Sequence, residues 1–323
     1  MTHTLITGGC GFIGSHLAEA LLARGHRVTV IDDLSTGAIE NIASFRGHDR
    51  FSHHIDTVLN RPLMAELVDA ADEVYHLAAA VGVRLIVERP VATIETNIKG
   101  TEVVLELASK KGKRVLIASS SEVYGKGARV PMAEGDDCVL GPSVSPRWSY
   151  ACSKLIDEFL ALAHHGERDL PTLVARFFNT VGPRQTGAYG MVIPRMVDSA
   201  LAGEPIVVHG DGEQTRTFCH VADVVEAIIA LMATPSAMGR VFNVGGVEEI
   251  SIVDLARLVK KVAGSRSEIR HVSHREVFGE GFEDLRRRVP DITRLRETID
   301  WQPRHTLRQI VEDVVASRRG EGG

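Results

Sequence analysis

The segment Leu5-Ile6-Thr7-Gly8-Gly9-Cys10-Gly11-Phe12-Ile13-Gly14 decides the fold of this 323-residue chain. An apolar strand runs into a loop with three spaced glycines, and apolar residues at helical spacing follow from Leu17. Strand, glycine-rich loop and helix, in that order, are what a dinucleotide-binding unit requires. Gly8 allows a tight turn, Gly11 lets backbone approach a pyrophosphate, and Gly14 permits close packing of the helix whose N-terminus faces the phosphates.

A second strand, Val28 to Ile31, ends in Asp32 and Asp33, about twenty residues beyond the loop, as in dinucleotide-binding units. A carboxylate at this place can bind a ribose 2′-hydroxyl and repels a 2′-phosphate. We therefore expect NAD as the cofactor and not NADP.

Two further strands continue the alternation. Phe51 to Ile55 ends in Asp56, a candidate partner for the adenine amino group. Glu73 to Leu77 ends in three alanines, residues 78–80, which let backbone come close to a cofactor or simply allow close packing.

The buried strand Val115 to Ala118 delivers a polar run, Ser119-Ser120-Ser121-Glu122-Val123-Tyr124-Gly125. In an open parallel sheet, ligands bind beyond the carboxyl ends of the strands, so this run is expected to face the cofactor cleft. A turn-forming serine cluster is the alternative interpretation.

Tyr150 and Lys154 lie four positions apart in the segment Ser149-Tyr150-Ala151-Cys152-Ser153-Lys154, which opens a helical pattern. This spacing puts both side chains on one helix face. An ammonium one turn away favours the ionised phenol, and a nicotinamide cation would favour it further. Tyr150 is thus a candidate base, although such a pair alone also occurs as a packed tyrosine beside a solvated lysine.

Composition narrows the class of protein. Net charge is −5, with 44% hydrophobic and 24% charged residues, so no basic field indicates nucleic acid. The four cysteines have no metal-binding spacing, and the adjacent histidine pairs lack the spacing of a helical zinc site, so we expect no metal. Scattered thiols, together with the lack of a signal peptide or membrane-spanning run, predict a cytoplasmic enzyme.

These motifs together resemble the extended short-chain dehydrogenase/reductase family over nearly the whole chain. The resemblance is carried by the three glycines, Asp32, the Tyr150/Lys154 pair, the segment Arg176-Phe177-Phe178-Asn179 and a Gly-Asp-Gly-x-Gln-x-Arg run ending at Arg216. It implies an α/β fold with a seven-stranded, doubly wound Rossmann-type parallel sheet and a smaller C-terminal substrate lobe. It also implies NAD-dependent oxidation of carbon 4 of a nucleotide sugar, and a homodimer formed through a four-helix bundle that includes the tyrosine helix. We expect an NAD-binding domain over 1–178, with some return segments from the C-terminal half, and a nucleotide-sugar lobe over 179–323.

Within the family, three segments are most like UDP-glucuronate decarboxylases, and the one around Trp148 is similar to the decarboxylase of the lipid A aminoarabinose pathway. They are the Ser119–Gly125 run, Pro146-Arg147-Trp148-Ser149-Tyr150 and Arg288-Val289-Pro290-Asp291-Ile292. One departure is Ser120, which stands where the family has a threonine that bonds the sugar hydroxyl. Serine keeps the hydroxyl but loses the methyl group that restricts the rotamer.

Glu122 is the residue that distinguishes among the functions that remain possible. Dehydratases of the family carry an adjacent Asp-Glu pair, whereas the first of these positions is Ser121 here. Simple 4-epimerases usually have a small or hydroxyl residue where Glu122 stands. A decarboxylase is therefore favoured, with a UDP-glucuronate or UDP-glucose 4-epimerase as the alternative, a dTDP-glucose 4,6-dehydratase less favoured, and a non-enzymatic NAD sensor opposed by the intact Tyr150 and Lys154.

By the resemblance, Tyr150 takes the hydroxyl proton, Lys154 holds the nicotinamide ribose, and Ser120 orients the hydroxyl. Glu122 acts near carbon 5 by charge repulsion or, protonated or through a water, as a proton donor, and Arg288 meets the substrate carboxylate or diphosphate from the opposite lobe. The product is UDP-4-keto-pentose, UDP-xylose or both. Expected cofactor contacts are Gly8, Gly11, Phe12, Ile13, Gly14, Asp32, Asp33, Asp56, Leu77, Ala78, Ala79, Asn97, Ser119, Tyr150, Lys154 and Phe177. Expected substrate contacts are Ser121, Asn179, Arg184, Val192, Ile193, His209, Gln214, Arg216 and Arg288.

Overall fold

The computed structural model describes residues 1–80, 90–127, 129–187, 191–273 and 285–320. Its strands are β1 (His3–Thr7), β2 (Arg27–Asp32), β3 (Phe51–Ile55), β4 (Glu73–His76), β5 (Arg114–Ser120), β6 (Thr172–Phe177), β7 (Thr180–Val181), β8 (Ile206–His209), β9 (Thr215–Thr217), β10 (Cys219–His220), β11 (Val241–Val244), β12 (Glu249–Ser251), β13 (Ile269–Val272) and β14 (Arg287–Arg288). Its α-helices are α1 (Phe12–Ala23), α2 (Arg61–Ala70), α3 (Pro90–Ser109), α4 (Trp148–Arg168), α5 (Val192–Ala202), α6 (Val221–Ala233), α7 (Ile252–Val262), α8 (Thr293–Ile299) and α9 (Leu307–Gly320).

The main sheet has seven strands in the order β11-β6-β5-β4-β1-β2-β3, and every neighbouring pair is parallel. The chain winds outward from β1 in one direction and from β4 in the other. Adjacent loops therefore diverge at the carboxyl ends of β1 and β4, which opens a crevice there. This arrangement confirms the doubly wound Rossmann-type fold expected from the sequence.

Hydrophobic cores cover both faces of this sheet. Helices α1 and α6 pack together over one face, and α2, α3 and α4 cover the other. A separate core forms where α5, α7 and α9 pack together beside β8. The second half of the chain thus builds a smaller lobe, but it also returns α6 and β11 to the main sheet.

The starts of two helices have local causes in the sequence. Helix α3 begins at Pro90. Proline favours a first helical turn because its φ is fixed and no intrahelical N–H is needed there. Ser251 caps α7, since its Oγ accepts a hydrogen bond from the Asp254 backbone N–H at 3.1 Å.

Over the described ranges, no helix is both long and apolar enough to cross a membrane. A search of the same ranges finds no cluster of three or more histidine, cysteine or acidic side chains that could hold a metal ion. All four cysteines are free, with Cys10 and Cys219 buried and Cys152 exposed.

Candidate active site

The glycine loop is so tight that side chains could not be accommodated. Gly8 has a φ of +73°, and a Cβ on Gly14 would lie 2.2 Å from the Gly8 carbonyl oxygen. A Cβ on Gly8 would lie 2.8 Å from the Ala78 backbone nitrogen, which belongs to the alanine segment after β4. The loop therefore brings backbone from β1 and β4 together at the N-terminus of α1, where an anionic group would be favoured.

Asp32 ends β2 beside this loop and is held by backbone. Its Oδ2 accepts a hydrogen bond from the Cys10 N–H at 2.9 Å, and its Oδ1 accepts one from the Leu34 N–H at 2.8 Å. Burial raises the pKa of Asp32, and these N–H donors oppose the rise. Asp56 is similarly fixed, because its two oxygens accept from the Thr57 N–H at 2.7 Å and from Asn60 Nδ2 at 2.6 Å.

A cleft of about 880 Å³ runs from this loop to the smaller lobe. With one exception, every residue expected from the sequence to contact cofactor or substrate lines it. The exception is Asn97, which is buried behind the wall. Its Oδ1 accepts from the Ala80 N–H at 2.7 Å, and its Nδ2 donates to Ser153 Oγ at 3.1 Å. Asn97 thus braces the alanine segment against α4 and reaches the cleft only through that backbone.

Tyr150 and Ser120 meet at the centre of the cleft. The Ser120 side chain hydrogen-bonds with Tyr150 and also accepts from the Glu122 N–H at 3.2 Å, where it caps a short 3₁₀ helix over Ser121–Tyr124. Burial raises the pKa of Tyr150, and Glu122 and Asp157 raise it further, whereas Ser120 lowers it. The Tyr150 phenol is therefore a weaker acid than that of a free tyrosine.

Lys154 makes an ion pair that the sequence analysis did not anticipate. Its Nζ donates to Asp157 Oδ2 at 2.7 Å, and the two side chains are 2% and 0% exposed. The ammonium thus faces a carboxylate one turn further along α4, and the expected effect of Lys154 on the ionisation of Tyr150 stays a prediction. The spacing of three on one helix was readable in the sequence and is the signal that could have found Asp157.

Glu122 and Arg288 pair directly, although 166 positions separate them. Arg288 Nη1 donates to Glu122 Oε1 at 2.5 Å. Backbone hydrogen bonds tie the segment after β14 to Met132, from the Met132 N–H to Val289 O at 2.8 Å and from the Asp291 N–H to Met132 O at 2.7 Å. The arginine is thereby held at the edge between the two lobes, where it is 7% exposed.

Three guanidinium groups act on Glu122. Burial alone would raise its pKa, but Arg288, and after it Arg147 and Arg216, outweigh burial and lower the pKa. Glu122 is thus ionised at neutral pH. This disfavours the expectation that a protonated Glu122 donates to carbon 5, and it leaves charge repulsion or transfer through a water.

Arg147 is a cleft residue that the sequence analysis missed. It precedes α4, lines the cleft and places its guanidinium carbon 5.1 Å from the ring centroid of Trp148. Arg147 lies three residues before Tyr150 in the segment that resembles the decarboxylases, and this position could have indicated that it is a cleft residue.

The groups expected to clamp a diphosphate all line the cleft, and each also bonds within the protein. Arg216 Nη1 donates to the Thr215 and Leu285 carbonyls at 2.7 and 2.8 Å. Asn179 Nδ2 donates to the Thr217 carbonyl at 2.8 Å, and Arg184 Nη2 donates to Glu19 Oε2 at 2.6 Å. Their role in binding a diphosphate stays a prediction.

Comparison with known proteins places this geometry in a family. The model of the family described as GDP-mannose 4,6 dehydratase matches residues 5–314. The chain belongs to this family. The resemblance to extended short-chain dehydrogenases/reductases is thereby confirmed, and with it the prediction of an enzyme.

By their names, two relatives of this chain are decarboxylases and one similar solved structure is an epimerase. The chain is 41% identical, over 96% of each sequence, to a UDP-N-acetyl-alpha-D-glucosaminuronate decarboxylase of Bacillus cytotoxicus. It is 38% identical to UDP-glucuronic acid decarboxylase 1 of Xenopus tropicalis, over 93% of this chain and 68% of that one. The fold matches a Bacillus cereus UDP-glucuronic acid 4-epimerase, solved with UDP-glucuronic acid and NAD, with a TM-score of 0.87, 29% identity and 99% of each chain covered.

Proposed function

We propose that this protein is an NAD-dependent decarboxylase of a UDP-hexuronate, with UDP-glucuronate as its substrate. The observation that carries the proposal is the charge beside Tyr150, where Glu122 pairs with Arg288 and also feels Arg147 and Arg216. These three guanidinium groups bring positive charge to the wall of the cleft beside Tyr150. A sugar that bears a carboxylate as well as a diphosphate would balance it better than a neutral hexose.

The names of the relatives support the same reaction. Both sequence relatives given above are decarboxylases of UDP-linked uronic acids, and they match nearly all of this chain. The relative with the higher identity acts on a 2-acetamido sugar, which makes UDP-N-acetylglucosaminuronate the second candidate substrate. The two differ only in the substituent at carbon 2, so the proposed chemistry at carbons 4 and 5 is the same for both.

The residues present fit NAD. The crowded contacts of Gly8 and Gly14 leave no room for a side chain at these two positions, and Asp32 presents a fixed carboxylate at the end of β2. When bound, NAD supplies the acceptor for the hydride that leaves carbon 4. Lys154 would hold the nicotinamide ribose, since it lines the cleft next to Tyr150.

The protein's own groups account for the remaining chemistry. Tyr150 takes the proton of the carbon 4 hydroxyl. Ser120, which hydrogen-bonds with Tyr150, orients that hydroxyl. The carboxylate then lies β to a carbonyl that can accept electrons as an enolate, so loss of carbon dioxide needs little beyond positioning. Arg288 makes the substrate carboxylate bindable, and the ionised Glu122 repels it, which favours its departure.

The runner-up is a 4-epimerase of a UDP-hexuronate. The match to a UDP-glucuronic acid 4-epimerase favours it, because that protein works on the same acid without losing it, as its name states. A dehydratase is less favoured because Ser121, which is buried and carries no carboxyl group, stands where that reaction needs its first acid.

Product analysis tests the proposal. The purified protein is incubated with NAD and, separately, UDP-glucuronate, UDP-N-acetylglucosaminuronate, UDP-glucose or dTDP-glucose, and the products are identified by mass and by released carbon dioxide. Carbon dioxide from either uronate, absent in the Tyr150→Phe variant, supports a decarboxylase. An epimerised uronate of unchanged mass would show that the protein is an epimerase and not a decarboxylase. A dehydrated hexose would show that it is a dehydratase.

We also propose a homodimer in a reducing, cytoplasmic compartment. Large apolar side chains are exposed on α3 and α4, which pack side by side: Val91 is 70% exposed and Phe159 is 65% exposed. Pairing with the same two helices of a second copy would bury them. The free cysteines agree with a reducing compartment. The molar mass in solution, and its fall in a Phe159→Asp variant, tests the dimer.

A further inference from the structure

Asn243 lies on β11, the edge strand of the main sheet, and its side chain is fully buried. Its Nδ2 donates to two backbone carbonyls, Met132 O at 2.9 Å and Asp291 O at 3.0 Å. Its Oδ1 accepts from the hydroxyl of Tyr124 at 2.7 Å. These partners fix the orientation of the amide, because carbonyl oxygens can only accept hydrogen bonds. One buried amide thus joins three segments that come from distant parts of the sequence.

These three segments lead to the charged pair at the sugar end of the cleft. Tyr124 ends the short 3₁₀ helix that carries Glu122. Asp291 follows Arg288 by three residues, and the backbone of Met132 is hydrogen-bonded to the chain between them and to Asp291 itself. Asn243 is therefore bonded both to the segment of Glu122 and to the segment of Arg288.

The surroundings of Asn243 hold it in place. Its backbone N–H donates to Glu134 Oε1 at 2.9 Å, and the register of β11 on β6 puts it beside Arg176. The guanidinium carbon of Arg176 lies 4.7 Å from the ring centroid of Tyr124. Burial raises the pKa of Tyr124 to about 12, so its hydroxyl keeps the proton that it donates to Asn243. A buried polar network with every bond made is rigid and can serve as a support.

The charged pair needs such a support because its two members belong to different sheets. Glu122 follows β5 of the main sheet, whereas Arg288 lies on the two-residue strand β14, which pairs with β9 in a separate three-stranded sheet. A displacement of about 1 Å at a reacting group can cost on the order of 10² in rate. A common anchor for both segments would prevent it.

We propose that Asn243 is a positioning residue that holds Arg288 where the substrate carboxylate binds, with Glu122 beside it. The inference rests on the proposed function, because it takes the carboxylate of the sugar as the partner of Arg288. Asn243 itself lies outside the cleft, so it acts through the two segments and does not touch substrate or NAD. Selection of a uronate over a neutral hexose then depends on an amide buried in the sheet.

Binding without turnover tests this role. The Tyr150→Phe variant with NAD bound serves as the parent, and calorimetry gives the dissociation constants of UDP-glucuronate and UDP-glucose. We expect Asn243→Ala to lower the preference for UDP-glucuronate by about tenfold, because a displaced arginine loses charge-assisted hydrogen bonds to the carboxylate. The affinity for UDP-glucose, which has no carboxylate, should change by less than about threefold.

Thr172→Val is the matched control for a lost buried hydrogen bond. Thr172 is fully buried on β6, and its Oγ1 donates to Ala161 O at 2.9 Å, outside the cleft. This variant should lower thermal stability but keep the preference within about twofold of the parent.

Arg288→Met shows whether Asn243 acts through the arginine. If it does, Asn243→Ala adds little to the preference that Arg288→Met has already lost. A further loss of about tenfold in the double variant would mean that Asn243 acts elsewhere, which contradicts the proposal.

Asn243→Ser decides the matter if the alanine variant does not fold. The serine hydroxyl can donate to one of the two carbonyls and leaves a smaller gap, so we expect an intermediate loss of preference of about threefold. A folded variant of either kind that keeps the full preference of the parent overturns the proposal.

The pH profile of carbon dioxide release is a readout that lower stability alone would not move. Burial raises the pKa of Glu122, and Arg288 is the first of three arginines that lower it. A displaced Arg288 lowers this pKa less, so the acid limb assigned to Glu122 should move to higher pH by about one unit in Asn243→Ala with Tyr150 intact. The other groups that interact with Glu122 are unchanged in this variant: Arg147, Arg216 and Tyr150. An unmoved limb would show that Arg288 still acts on Glu122, against the proposal.

Crystal structures separate this inference from the proposed substrate. In Asn243→Ala the distance from Arg288 Nη1 to Glu122 Oε1 should exceed about 4 Å, whereas in Thr172→Val the pair should stay in contact. A parent that binds both sugars equally would reject the proposed substrate, and a displaced pair would then still support the positioning role. An undisplaced pair in a folded Asn243→Ala variant rejects that role whatever the substrate is.

Discussion

The nucleotide end of the cleft presents backbone, whereas the sugar end presents charged side chains. At the first end, β1, its loop and α1 are consecutive, and Asp32 is fixed by the N–H groups of Cys10 and Leu34. At the sugar end, Glu122 and Arg288 lie 166 positions apart in the sequence and meet at 2.5 Å. Backbone geometry is set by local sequence, so the first end can serve many members of a family, while the second can change with a few substitutions.

Tyr150 lies where the two ends meet, and its removal has the largest expected effect. Tyr150→Phe keeps the ring and the helix but removes the base, so we expect substrate oxidation to slow by on the order of 10² to 10⁴. The binding of NAD and of UDP should stay near the parent values, as measured by calorimetry. An unchanged rate would mean that Tyr150 only packs in the cleft. It would then not link the nucleotide end to the sugar end in the reaction.

Discrimination against NADP tests the nucleotide end alone. Because Asp32 places a fixed carboxylate where a 2′-phosphate would lie, NADP should bind weaker than NAD by on the order of 10². In Asp32→Ser the difference should narrow, whereas Asp69→Asn, which removes an exposed acid paired with Lys111, should leave it intact. Equal affinity of the parent for the two cofactors would contradict this assignment.

Glu122→Gln tests the sugar end, and a matched control exists because its partner Arg288 has a neighbour on β14, Arg287, that also pairs with a glutamate. The variant loses the charge that faces Arg288, so we expect carbon dioxide release to slow by at least about tenfold, on the order of 1.4 kcal/mol of barrier. Glu249 pairs with the neighbouring Arg287 through two contacts of 2.8 Å, and this pair lies outside the cleft. Glu249→Gln breaks a similar ion pair and should leave the rate unchanged. If both variants release carbon dioxide at the parent rate, Glu122 has no part in the reaction.

The same contrast explains what could be predicted from the sequence. The glycine loop and Asp32 were found because strand, turn and helix signals are contiguous and each has a local physical cause. The direct pairing of Glu122 with Arg288 could not be found, because it depends on how Met132 holds the segment after β14. Asp157 lay within reach, since Lys154 and a carboxylate three residues on form a helical pair, but its burial is a property of the packed molecule.

The smallest expected effect concerns Ser120, which contacts both Tyr150 and the backbone of Glu122. Its hydroxyl bonds with Tyr150 and accepts from the Glu122 N–H at 3.2 Å, so these two contacts already restrict its rotamer. A methyl group in Ser120→Thr would add the stiffness of a β-branched side chain and hold the keto intermediate more firmly during reduction. Because the contacts already restrict the serine, the gain is limited to about twofold, a few tenths of a kcal/mol.

We therefore expect the parent to release part of its product as UDP-4-keto-pentose, and Ser120→Thr to lower the ratio of this ketone to UDP-xylose by about twofold. Mass analysis of both products after a fixed conversion measures the ratio, and Ser236→Thr, which makes the same change at an exposed serine outside the cleft, serves as the control. Complete conversion to UDP-xylose by the parent, with no ketone at any time, would show that the two contacts of Ser120 suffice without the methyl group. The sugar end would then hold its intermediate as rigidly as the nucleotide end holds its loop.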